Sequence, residues 1–89
     1  MKLKYDFAVQ KVTDFWAAVP VGKDALKCDN VISLNETARD MFNLLRNDIT
    51  EDQLVQQMLQ EYKGVDETQL RADAQAFIQR LQEADLLLP

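Results

Sequence analysis

The fold is decided by residues 31–46, which read VISLNETARDMFNLLR. The stretch opens with a short apolar run, Val31 to Leu34, whose β-branched residues predict a strand. Asn35 follows at once as an N-cap, because its side-chain oxygen can accept a hydrogen bond from a free amide of the first helical turn. Apolar residues then recur at i, i+3, i+4 and i+7, and these are Ala38, Met41, Phe42 and Leu45. A strand therefore runs directly into a capped amphipathic helix.

The chain before this stretch has the features of two further strands. Tyr5, Phe7 and Val9 alternate with other residues, which is typical of a strand with one buried face. Thr13-Asp14 predicts a turn, since both residues favour turn conformations. The aromatic and small apolar run from Phe15 to Val19 predicts the second strand of the chain.

Residues 22–30 are polar and predict a loop, with a turn at Asp29-Asn30 just before the third strand, Val31 to Leu34. Three short strands cannot cover both faces of their own sheet. We therefore expect the helices that follow to pack against one face of the sheet.

The second helix has a start signal of its own. Thr50 is a candidate N-cap and Gln53 can reach back to it, which is the pattern of a capping box. Ile49 and Leu54 flank the box as a hydrophobic staple. The buried face of this helix is predicted to be Leu54, Val55, Met58, Leu59 and Tyr62.

The third helix repeats this pattern. Asp66 is the candidate N-cap, Gln69 the residue that reaches back, and Val65 with Leu70 the staple. Gly64 is a suitable residue to end the second helix. We expect the third helix to run to about Ala84, with Leu86-Leu87-Leu88 turning back onto the core. Its buried face is predicted to be Leu70, Ala74, Phe77, Ile78 and Leu81.

The predicted fold is therefore α+β and winged-helix-like, with three short N-terminal antiparallel strands followed by three helices. Strands occupy about residues 5–34 and helices about residues 36–84 of a single domain spanning residues 1–89. A chain of this length is one domain with a small core.

Three motifs resemble the pyrroloquinoline quinone synthesis protein D family, whose members recognise precursor peptides. The motifs are Leu34-Asn35-Glu36-Thr37 with Met41-Phe42-x-Leu44-Leu45, then Ile49-Thr50 with Leu54-x-x-x-Met58-Leu59-x-x-Tyr62, and finally Asp73-x-x-x-Phe77-Ile78-x-x-Leu81. They cover about the last two thirds of the chain. The family usually has glycine where Ala38 and Asp85 stand here. Ala38 suits a helix better than glycine, and Asp85 tolerates a left-handed helix end.

The resemblance implies a binding site between the third strand and the third helix. A strand at the edge of a sheet can accept an added strand, although most such edges are simply solvated. In the family the leader part of the precursor peptide binds there. The implied peptide-binding residues are Val31, Ile32, Ser33, Leu34, Asp73, Ala74 and Phe77. Asp73 either pairs with a basic leader residue or accepts from a neighbouring backbone amide.

The resemblance also implies the partners: a leader peptide, and a radical S-adenosylmethionine enzyme or another peptide-modifying enzyme. The protein then acts as a peptide chaperone, and we expect it to be no enzyme and to hold no cofactor. The alternative is a winged-helix DNA-binding transcription regulator, and a third reading is an adaptor that binds only another protein.

Charge argues against nucleic acid as the partner. The chain has a net charge of −5, and residues 49–89 hold three basic and eight acidic groups. The third helix would be the reading helix of a DNA-binding protein, yet it offers only Arg71 and Arg80 to phosphates. No apolar run is long enough to span a bilayer, and no signal peptide is recognisable. We therefore expect no nucleic acid, no membrane and a cytoplasmic location.

Few residues are suited to catalysis. The chain has no histidine and only Cys28 as a thiol, so we expect a reduced structural cysteine and neither a zinc site nor histidine-based catalysis. Glu36 and Asp40 share a helix face, and we expect a solvated pair there rather than a metal site. Trp16 is predicted to be a core or half-buried sheet residue rather than a stacking platform.

Overall fold

The computed structural model describes residues 1–28 and 30–89. Its main sheet has three antiparallel strands in the order β2-β3-β4. These strands are β2 (Phe7–Val12), β3 (Phe15–Pro20) and β4 (Ile32–Leu34). A second, two-stranded antiparallel sheet joins the ends of the chain, and it consists of β1 (Lys2–Leu3) and β5 (Leu87–Leu88). A 3₁₀ helix, Gly22–Leu26, lies between β3 and β4.

Three α-helices follow the main sheet, which confirms the predicted α+β arrangement. They are α1 (Glu36–Leu44), α2 (Glu51–Glu61) and α3 (Glu67–Glu83). Asn35 caps α1 by accepting from the backbone N–H of Ala38 at 2.8 Å. Thr50 and Gln53 form the predicted capping box of α2, with hydrogen bonds of 3.1 and 3.0 Å.

The start of α3 follows the prediction only in part. Asp66 caps the helix by accepting from the backbone N–H of Thr68 at 3.1 Å. The predicted reach of Gln69 back to the cap is wrong, because its side-chain amide donates to Asp73 at 2.9 Å instead. One cap bond therefore holds this helix start, whereas two reciprocal bonds hold the start of α2.

The end of α3 is a Schellman motif. The backbone N–H of Asp85 donates to the carbonyl of Gln82, and that of Leu86 donates to the carbonyl of Leu81, at 3.0 and 2.9 Å. Asp85 occupies the left-handed region at φ 58°, the position that glycine usually fills. The turn lets β5 pair with β1 and directs Leu86 into the core, as predicted. Leu88, which was predicted to pack there too, is exposed instead.

One hydrophobic core lies between the main sheet and the helices. On β4, Ile32 and Leu34 point into this core while Ser33 is exposed. The ring of Phe42 on α1 packs edge-on against Phe7, with ring centroids 5.2 Å apart. All five residues predicted for the buried face of α3 are buried. Leu59 of α2, and Tyr62 directly after that helix, are only half-buried.

Three parts of the architecture differ from the sequence prediction. The third strand begins at Ile32, and Val31 precedes it with 64% of its surface exposed. The loop predicted over residues 22–30 contains the 3₁₀ helix, and the ribbon of β1 and β5 was not predicted. The turn predicted at Asp29-Asn30 includes Asp29, which lies outside the described residues.

Loss of either cap should weaken the domain measurably. Thr50→Ala and Asp66→Ala are each expected to lower the free energy of unfolding by about 1 kcal/mol, because a helix amide loses its side-chain acceptor. In a domain of this size the melting temperature should fall by several degrees. Thermal unfolding followed by circular dichroism measures this. Thr50→Ser and Asp66→Asn retain the oxygen and should unfold close to wild type; an alanine variant equal to wild type would contradict the assigned caps.

Candidate functional site

The outward edge of β4 is set by the register of the sheet. The backbone N–H of Val21 donates to the carbonyl of Asp6 at 3.1 Å, so Val21 faces β2. Successive residues of a strand direct their N–H and C=O groups to opposite sides. Trp16 and Ala18 therefore face β4, where their register partners are Leu34 and Ile32.

Between those two pairs lies the pair of Ala17 and Ser33. Ala17 faces β2, so the N–H and C=O of Ser33 point away from β3 and out of the sheet. An independent contact agrees with this assignment, because the guanidinium of Arg80 on α3 donates to the Ser33 carbonyl at 3.4 Å. The edge of β4 thus presents one outward donor and one outward acceptor, both belonging to Ser33.

A groove runs along α3 from this edge. Its first part is a cavity of about 360 Å³ between α3 and the start of α1. The residues lining it are Asn35, Thr37, Ala38, Met41, Asp73, Ala76, Phe77 and Arg80. The floor is apolar, through Ala38, Met41 and Phe77. The two charged walls lie seven residues apart on one helix face, with Arg80 toward β4 and Asp73 toward the start of α3.

The groove continues past Asp73 into a second cavity of about 280 Å³. Thr37 and Asp73 line both cavities. The additional lining residues are Tyr62, Val65, Asp66, Gln69 and Leu70. An extended segment lying along α3 would therefore meet the exposed edge of β4, then an apolar floor, then an acidic end.

A polar network closes the side of α1 that faces α2. The hydroxyl of Tyr62 donates to the carboxylate of Asp40. The same carboxylate accepts from Arg39 at 2.7 and 2.9 Å, and the Arg39 guanidinium lies 4.5 Å from the centre of the Trp16 ring. Burial raises the pKa of Tyr62 to about 12, and the Asp40 carboxylate contributes to the rise. The network holds a neutral tyrosine against the second cavity.

This network corrects one prediction and confirms another. Glu36 is exposed, as predicted, but Asp40 is largely enclosed by Arg39 and Tyr62 rather than solvated. Trp16 is half-buried in the sheet, as predicted. Among the described residues, no group of three or more acidic or cysteine side chains is arranged to hold a metal ion. Cys28 is a buried free thiol in the core.

The opposite edge of the sheet is different. By the same alternation, Phe7, Val9 and Lys11 direct their backbone groups outward from β2. Arg46 donates to the outward carbonyl of Phe7 at 2.8 Å, in a partly buried contact. Arg46 therefore occupies part of this edge. The edge of β4 lies beside the groove through two residues that line it: Asn35, which directly follows β4, and Arg80, which contacts Ser33.

The structure brings together some of the site residues that the resemblance implied. Asp73 and Phe77 line the groove, and Ser33 lies beside it, since its carbonyl accepts from Arg80, another lining residue. Ala74 is fully buried behind it, with no exposed surface. Ile32 and Leu34 bond toward β3 and point into the core, and Val31 lies outside the strand.

Several groove residues were not predicted, and they are Asn35, Thr37, Ala38, Met41, Ala76 and Arg80. Helical spacing could have found part of this set. From Asp73, the positions i+3, i+4 and i+7 are Ala76, Phe77 and Arg80, which form one face of α3.

Arg71, one of the two basic residues of α3, is poorly placed for phosphate binding. Arg71 pairs with Asp52 at 3.0 Å and Glu67 at 3.3 Å, and its other nitrogen lies 3.9 Å from Glu51. Its charge is therefore already compensated within the protein.

No helix in the described part of the chain combines the length and apolar character required to cross a membrane.

Comparison with known proteins gave two matches. A protein-family model described as coenzyme PQQ synthesis protein D (PqqD) matches residues 20–87. A solved structure, "TbiB1 in Complex with the TbiA(beta) Leader Peptide", superposes with a TM-score of 0.72, covering 98% of this chain and 94% of that chain at 18% identity. No curated protein matches the chain.

Proposed function

This chain belongs to the coenzyme PQQ synthesis protein D family, and from that premise we propose that it binds the leader region of a ribosomally made precursor peptide. The leader adds as a strand to the edge of β4 and lies in the groove along α3. The structurally similar TbiB1 was solved with a leader peptide, which supports this choice of ligand.

The observation that carries the proposal is the orientation of Ser33. Its N–H and C=O point out of the sheet beside the groove along α3, so an incoming strand finds a donor and an acceptor at ladder spacing. Side chains of that strand alternate in direction, and those directed toward α3 would contact Phe77 and Met41. Backbone bonds supply sequence-independent affinity, while the groove supplies selection.

We assign no chemical step to this chain. The binding role needs only the backbone of β4 and the groove along α3, and the lone thiol, Cys28, is buried in the core. A modifying enzyme acts on the peptide, and the chain presents the leader to it. A radical S-adenosylmethionine enzyme is the partner that the family membership favours.

Proline substitution tests the binding mode, because proline removes one backbone N–H and is tolerated where that N–H faces solvent. A library of random peptides displayed on phage and selected on the wild-type protein supplies the ligand. Ser33→Pro should remain folded by circular dichroism, since its N–H makes no ladder bond to β3. Calorimetry should show at least about a tenfold loss of affinity for the selected peptide, since a ladder bond is lost and the proline ring obstructs the edge.

Lys11→Pro is the matched control, because the N–H of Lys11 faces outward on the opposite edge of the same sheet. This variant should fold and bind the peptide as wild type does. A folded Ser33→Pro protein with undiminished affinity would exclude strand addition at β4. A selected sequence that recurs near the N-terminus of a short peptide encoded in the same genome would identify the precursor.

A further inference from the structure

The contact between Arg80 and Ser33 places a charged side chain on the edge that the peptide would occupy. Arg80 lies on α3, and its guanidinium donates to the outward Ser33 carbonyl at 3.4 Å in an exposed position. This distance is at the long end for a hydrogen bond. The contact is therefore weak and open to replacement by a better donor.

Arg80 has no ionic partner in the described part of the chain, since no carboxylate lies within 4 Å of it. In this it differs from Arg71 on the same helix, which contacts three carboxylates. A guanidinium has five donors and no acceptor capacity, and a carboxylate matches its geometry best. Arg80 thus presents unused positive charge at the mouth of the groove.

An added strand would take the place of this guanidinium. The backbone N–H of such a strand donates to the Ser33 carbonyl at ladder geometry, where the Arg80 side chain now lies. Once displaced, Arg80 remains beside the bound peptide on its flexible side chain. Asp73 lies seven residues earlier, about 10 Å along the helix, so negative charge on a peptide is favoured at the Arg80 end only.

We propose that Arg80 selects the peptide: it covers the Ser33 carbonyl in the free protein and pairs with an aspartate or glutamate side chain of the bound strand. This inference rests on the proposed function, because it requires a strand at β4. The ligand class is thereby narrowed to peptides that carry a carboxylate next to the residue paired with Ser33. Arg80 is therefore a specificity residue, since the backbone hydrogen bonds of the ladder form with a peptide of any sequence.

Charge reversal tests the assignment, using the same displayed library of random peptides as the probe. Wild-type protein should enrich Asp or Glu at one peptide position, and Arg80→Gln should lose that preference. Arg80→Glu should enrich Lys or Arg at the same position. For one selected peptide, affinity should fall about three- to tenfold in Arg80→Glu and recover when the peptide acid is replaced by lysine, as expected for an exposed ion pair converted to repulsion.

Lys23→Glu is the matched control, because it changes the net charge equally at an exposed residue of the 3₁₀ helix, away from the groove residues. It should keep the wild-type preference. One outcome would overturn the role of Arg80 and leave the proposed function intact. In that outcome the selected peptides lose affinity for Ser33→Pro, yet wild type and Arg80→Glu enrich the same charge at the same peptide position. If no peptide is enriched on wild type relative to Ser33→Pro, strand addition fails and the inference fails with it.

Discussion

Ile32→Pro is expected to unfold the domain. Ile32 bonds toward β3, so proline at this position removes a ladder N–H and leaves the facing carbonyl of Ala18 without its donor. The substitution also removes the Ile32 side chain from the core, where it is 7% exposed. Together these losses amount to about 3–8 kcal/mol, which is comparable with the whole stability of an ordinary small domain, about 5–15 kcal/mol.

Far-UV circular dichroism and urea unfolding measure this outcome. Ile32→Val is the control, because it retains the N–H and should cost only about 0.5–1.5 kcal/mol. The adjacent Ser33→Pro protein should unfold close to wild type. If Ile32→Pro folded and Ser33→Pro did not, the assignment of inward and outward residues on β4 would be reversed.

Phe77→Ala is expected to lower the free energy of unfolding by about 3–5 kcal/mol, because the ring is 7% exposed and belongs to the core. The same ring lines the groove beside β4. Phe77 is therefore both a core residue, as helical spacing predicted, and a wall of the groove at the site that the resemblance implied. Phe42→Ala is the matched control for stability, since Phe42 is 0% exposed and does not line the groove.

Peptide affinity distinguishes the role of Phe77 from that of Phe42. Phe77→Leu keeps most of the buried volume and should cost less than about 1.5 kcal/mol, so the folded protein can be titrated with the selected peptide. We expect weaker binding in Phe77→Leu and unchanged binding in Phe42→Leu. Equal affinity in both variants would show that the groove at Phe77 is not occupied by the peptide.

The parts of the fold that depend on local signals could be read from the sequence. Helix starts at Asn35, Thr50 and Asp66 follow from side chains that bond within three residues, and helix faces follow from apolar spacing. The ribbon of β1 and β5 could not be predicted from the sequence, because each strand has two residues and the partners lie more than eighty positions apart. Two-residue segments carry no periodicity to detect.

The candidate site likewise combines features that local sequence patterns predict with features that they do not. The Asp73–Phe77 face of α3 is a local pattern, and the resemblance pointed to it. The direction of the Ser33 backbone depends on the register of three strands, which the sequence alone does not specify. The contact between Arg80 and Ser33 joins residues 47 positions apart. It depends on how α3 packs beside the sheet, which no local sequence pattern specifies.

The two arginines at the outer edges of the sheet have a consequence for solubility. An edge that accepts a guest strand is equally a template for another copy of the same protein, and chains that pair edge to edge aggregate. Arg46 blocks the β2 edge at Phe7, and Arg80 blocks the β4 edge at Ser33. Like charges on both edges also repel when two copies approach. Arg46 and Arg80 are both exposed. The Arg46 contact is 2.8 Å long and the Arg80 contact 3.4 Å, so we expect an added strand to displace Arg80 more easily than Arg46, and edge-to-edge pairing of two copies to be disfavoured at both edges.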